Sequence, residues 1–66
     1  MKFIIKEEYQ LSTAQFVEVT YVPALKEWRL LITGQYEFDP PEIYRGDKKY
    51  ITDMYTKIIK NDVLEA

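Results

Sequence analysis

Asp39, Glu42 and Asp47 lie close together in the chain and could gather oxygen ligands around a hard cation such as Ca²⁺. Calcium loops normally take more ligands than this, at a regular D-x-D spacing. Two of the three also have simpler uses as helix caps, Asp39 ahead of Pro40-Pro41-Glu42 and Asp47 ahead of Lys48. No metal site is expected. Glu7-Glu8 is the longest acidic run, but neighbours on a strand point to opposite faces and cannot act together on one substrate. Ser12 is the sole serine, and the chain has neither His to activate it nor Cys to replace it. Two glycines are too few for a phosphate-cradling loop. No catalytic set emerges, no cofactor is expected, and an enzyme is the least expected class.

Arg45, Lys48, Lys49 and Tyr50 make the densest basic patch, and with Tyr44 they suggest phosphate contacts beside an aromatic platform. Lys26 and Arg29 are further basic candidates. Lys48 and Lys49 fall near a helix start, where cations are mildly unfavourable, so their placement hints at use. Against this, 9 Lys+Arg face 11 Asp+Glu, for a net charge of −2. That balance lacks the basic footprint of a general nucleic-acid binder, so nucleic-acid binding is the alternative reading. Arg45-Gly46-Asp47 spells an integrin-binding tripeptide, but a helix break followed by a cap accounts for the same residues.

The elements that must position these residues follow from hydrophobic period. Residues 2–9 read as a strand with Phe3 and Ile5 on one face and Ile4 on the other. Residues 10–15 read as a turn, in which Ser12 and Gln15 could instead cap a helical turn. Residues 16–22 are rich in β-branched and aromatic types and predict a second strand. Val17, Val19 and Tyr21 form its core face, and Phe16, Glu18, Thr20 and Val22 the other. Pro23 ends ladder pairing because it has no N–H.

Residues 28–38 alternate on both sides of Gly34, with Leu31 the apolar exception. A two-residue hairpin at Gly34-Gln35 would divide the apolar set between two faces. One long strand, bent at Gly34, keeps Trp28, Leu30, Ile32, Tyr36 and Phe38 together. Asp39-Pro40-Pro41-Glu42 then predicts about one helical turn before Gly46. Asp47 caps the main helix, 48–63, whose apolar stripe is Ile51, Met54, Tyr55, Ile58 and Ile59.

Composition bounds the rest. At 66 residues there is room for one domain, spanning 1–66. A hydrophobic fraction of 47% at low net charge excludes intrinsic disorder. A domain this small is marginal, and without Cys the usual disulfide support is excluded, which leaves self-association open. Its ten aromatics (six Tyr, three Phe, one Trp) supply buried area and contact surface alike. Met1-Lys2 is followed by too short an apolar run for a signal peptide, and no run is long enough to span a membrane. A cytoplasmic, free-standing protein is the expectation, of a kind common among regulators and phage or mobile-element proteins.

The expected fold is α+β, a three-stranded antiparallel sheet in β-β-β-α order with one C-terminal helix packed on one face. One helix covers one face. The other would carry Ile4, Phe16, Val22 and Leu31 as an exposed apolar patch, and such patches mark interaction surfaces. The expected function is a small non-enzymatic protein-binding domain that occupies a surface of a larger protein partner as accessory factor or inhibitor. A small homodimeric structural protein is a further alternative.

Overall fold

The computed structural model describes residues 2–34, 36 and 39–65. Four strands precede one helix: β1 (Ile4–Gln10), β2 (Phe16–Val22), β3 (Glu27–Ile32), β4 (Glu42–Gly46) and α1 (Lys48–Glu65). The strands form one antiparallel sheet in the order β1-β2-β3-β4. Each strand pairs with its neighbour in sequence, as short connections favour. The helix lies over β2, β3 and β4, giving two layers.

The core sits between them. Val17 and Val19 of β2, Leu30 of β3 and Ile51 of α1 are buried, with Trp28, Tyr44, Met54, Tyr55 and Ile58 packed around them. The helix stripe and the core face of β2 are therefore where hydrophobic spacing puts them. Asp47 is the N-cap: its Oδ1 accepts the Tyr50 amide at 2.8 Å, satisfying a donor that the first helical turn leaves free. The turn before β2 is a tight loop rather than a helical turn. Leu11 N donates to Gln15 O at 2.7 Å, and Ala14 takes a left-handed φ of 75° to close it.

Three expectations need correction. The sheet has four strands rather than three, and the helical turn expected from Asp39 is replaced by β4. The proline pair explains this. A residue before proline is pushed out of the α region, so Pro41 denies Pro40 the helical backbone of a first helical position. Ile43 and Tyr44 then continue as strand formers opposite Leu31 and Leu30.

The long bent strand ends at Ile32, and Gly34 serves as a point of close approach. A Cβ there would lie 2.6 Å from the Asp39 carbonyl oxygen. The loop closes through Asp39 N donating to Tyr36 O at 3.0 Å. Gln35, Glu37 and Phe38, assigned to that strand from the sequence, lie outside the described residues.

The third correction is the face of Ile4. A β-bulge falls between Ile5 and Glu7. Ile4 pairs with Tyr21, and Ile5 pairs with Thr20. Direct partners share a face, so Ile4 stands on the helix side with Tyr21 and Trp28, and Ile5 stands on the reverse. Beyond the bulge Glu7 returns to the helix side, opposite Val19.

Candidate protein-binding face

The side of the sheet away from the helix is ordered in rows that run across all four strands. One row is Ile5, Thr20, Arg29, Arg45; the next is Glu8, Glu18, Leu31, Ile43. A third begins with Gln10 and Phe16. No other element lies over this side among the described residues, and large apolar groups stay open to water. Ile5 is 58% exposed, Phe3 55% and Ile43 52%. Together with Glu18, Thr20, Arg29 and Leu31 they line a hollow of about 320 Å³.

The charges at its rim are arranged by strand pairing. Arg29 and Arg45 are direct cross-strand partners. Glu27 lies at their end of the sheet, with its carboxylate 2.8 Å from Arg29 Nε and 3.7 Å from Arg45 Nε. Arg29 also lies 5.8 Å from the Phe3 ring centre, which anchors Phe3 over this corner. Glu8 and Glu18 are likewise direct partners.

Of the residues expected on this face, Phe16 and Leu31 are there, Phe16 exposed and Leu31 half-buried. Ile4 is on the helix side, for the reason given above. Val22 has the expected parity but is fully buried. It pairs with Glu27, at the corner where Arg29 and Phe3 gather, so it offers no surface to a partner. Phe3, Ile5 and Ile43 join Phe16 and Leu31 on this face, which the hydrophobic spacing does not predict. Ile43 was hidden by the helical reading of its segment, and Phe3 and Ile5 by the parity ambiguity of β1.

The basic set does not form one patch. Arg45 faces the reverse side as the partner of Arg29. The Lys48 ammonium lies 5.7 Å from the Trp28 ring centre, on the helix side. Lys49 is exposed, and the Tyr50 ring occupies the space beside Gly46. Strand alternation and the helix start thus send Arg45 and Lys48 to opposite faces of the sheet. Arg45, Gly46 and Asp47 are taken up by β4 and the helix cap.

The Ser12 hydroxyl donates to Asp62 Oδ1 at 2.7 Å and serves as a tie between the first turn and the helix. No three acidic side chains converge closely enough to hold a metal ion among the described residues. The phenols of Tyr44 and Tyr55 are both held above the ordinary value. For Tyr44 the cause is its hydrogen bond to Glu42, 3.0 Å, and then that carboxylate's charge. For Tyr55 it is burial first and then the charge of Glu7. In both cases the neighbouring carboxylate favours the protonated phenol. No helix among the described residues is long and apolar enough to cross a membrane.

No family model matches the chain, and no curated protein or solved structure matches it either.

Proposed function

We propose that the chain is a non-enzymatic protein-binding domain whose working surface is the reverse face of its sheet. One observation carries this: a single helix covers a single side. Phe3, Ile5, Leu31 and Ile43 are left around an open apolar hollow on the other. Exposed apolar clusters with a polar rim are the anatomy of interaction sites. In this reading the apolar side chains anchor a protein partner, and the Arg and Glu side chains at the rim fix its orientation. The chain acts by covering a surface and does no chemistry of its own.

The test uses the tagged chain expressed in its native host. Any protein retained, a second copy included, is identified and the complex rebuilt from purified components. Leu31→Lys should abolish that complex and leave circular dichroism unchanged, whereas Lys49→Glu, on the exposed start of α1, should leave the complex intact. A rebuilt complex indifferent to Leu31→Lys, or lost only because that variant unfolds, overturns the reading.

A further inference from the structure

From the order of the two central rows on the reverse face we infer that the partner it takes is a second copy of this chain, related by a two-fold axis lying along the apolar diagonal. This rests on the reading above and assigns its partner.

The rows are Ile5, Thr20, Arg29, Arg45 and, beside it, Glu8, Glu18, Leu31, Ile43. Ile5 is on β1 in the first row, and Leu31 and Ile43 are on β3 and β4 in the second. The apolar groups therefore form a diagonal band across the sheet. Arg29 and Arg45 lie on one side of the band, Glu8 and Glu18 on the other. A face that meets its own copy must be self-complementary, so that if residue i meets residue j then j meets i. A two-fold axis in the interface, laid along this band, satisfies that condition. Apolar groups meet apolar groups, and Arg29 of each chain comes over Glu18 of the other.

Strand pairing supplies an independent reason for a charged occupant of this kind. Like charges directly opposite on neighbouring strands are unfavourable, and this face has two such pairs side by side. Glu27 offsets the Arg29–Arg45 pair. Among the described residues no ion pair reaches Glu8 or Glu18. A second copy brings the Arg29 of each chain to the Glu18 of the other, one member of each like-charged pair.

Size agrees. The Cα extents are 36 × 27 × 14 Å. The short one runs through the two layers, since stacked elements lie about 10 Å apart. The reverse face is therefore one of the two broad sides of the molecule. Four strands at about 4.8 Å spacing and about 3.3 Å per residue give it several hundred Å² toward the roughly 800 Å² per partner of a standard interface. Pairing would also give a marginal 66-residue domain a second apolar layer.

Sedimentation velocity across a concentration series should show a species of twice the 7.9 kDa chain mass, weakened by salt. Leu31→Lys should raise the dimer dissociation constant by about 30-fold or more. Glu18→Arg and Arg29→Glu should each raise it by about tenfold or more. An equimolar mixture of those two variants should recover the dimer, because each then supplies the charge the other needs. Circular dichroism of every variant guards against loss of fold. A native chain that stays monomeric at all concentrations overturns the inference, as does a dimer indifferent to Leu31→Lys or a variant mixture that fails to pair. If a monomeric chain still binds a different protein, and Leu31→Lys abolishes that binding, the inference falls while the protein-binding reading stands.

Discussion

Ser12 and Asp62, fifty positions apart in the chain, are joined by hydrogen bonds from the Ser12 hydroxyl (2.7 Å) and its amide (3.1 and 3.2 Å) to the Asp62 carboxylate. The contact ties the β1–β2 turn to the last turns of α1, where few apolar side chains reach. Hydrogen bonds to a charged group are worth more than neutral ones, though exposure to water reduces the gain. Asp62→Ala removes the acceptor for both donors and should cost about 1–2 kcal/mol, while Ser12→Ala removes one donor and should cost about half that. The urea midpoint of each variant measures this. Equal midpoints for the native chain and both variants would show that the tie contributes nothing in solution.

Trp28 lies at the border of the core. Its ring is 5.1 Å from that of Tyr21, centre to centre, and the Lys48 ammonium lies 5.7 Å from it on the helix side. It thus joins β2, β3 and the first turn of α1 through one side chain. Because the ring is half-buried, Trp28→Ala should cost about 2–4 kcal/mol, toward the lower end of aromatic truncations in cores. Trp28→Phe should recover part of this. A cost for Trp28→Ala under about 1 kcal/mol, the range of surface changes, would place the ring outside the cooperative unit.

How far these features could be read beforehand depends on whether one pattern admitted one structure. Phe16–Val22 and the Ile51, Met54, Tyr55, Ile58 stripe each had a single consistent period, and Asp47 had a single use, so β2, α1 and its cap were legible. β1 was not. Lys6, Glu7 and Glu8 put charge on both parities at the site of the bulge, and the face of Ile4 is decided by pairing with β2, as is that of Tyr9, which comes opposite Val17. β4 was hidden by competing local signals. Asp39, Pro40 and Glu42 read as a helix start only if the effect of Pro41 on Pro40 is overlooked. The reverse-face patch was therefore expected for a sound reason, one helix over one side, yet with half its members misassigned. Leu31 and Phe16 stay, Ile4 and Val22 leave, and Phe3, Ile5 and Ile43 replace them.

Gly46 stands opposite Trp28 at the end of β4. A Cβ at this position would lie 2.6 Å from Tyr50 Cδ2, closer than carbon atoms approach. In a strand, alanine ordinarily stabilises relative to glycine by reducing the freedom of the unfolded chain. Here the ring of Tyr50 should reverse that sign. Gly46→Ala is expected to destabilise by about 1 kcal/mol or more. In a Tyr50→Ala background the same change should be neutral or stabilising. Equilibrium unfolding of the four proteins gives the coupling directly, and additive effects would mean that the ring moves aside freely.

Tyr55 gives the fold an alkaline limit. Burial and the charge of Glu7 hold its phenol above the ordinary 10.0, so the folded chain favours the neutral form more than the unfolded chain does. A group raised on folding contributes stability that is fully present below its unfolded value and is lost as pH climbs through the folded one. The native chain should therefore lose stability from about pH 10 upward, through phenolate formation beside the core. Tyr55→Phe removes this titration while keeping the ring that packs against the buried core of Val17, Val19, Leu30 and Ile51. Urea midpoints compared between about pH 8 and pH 11 should fall less in Tyr55→Phe than in the native chain. The two proteins differ in one hydroxyl alone, so the difference isolates that phenol. An identical fall in the two would show that the Tyr55 hydroxyl is as well solvated in the folded chain as in the unfolded one.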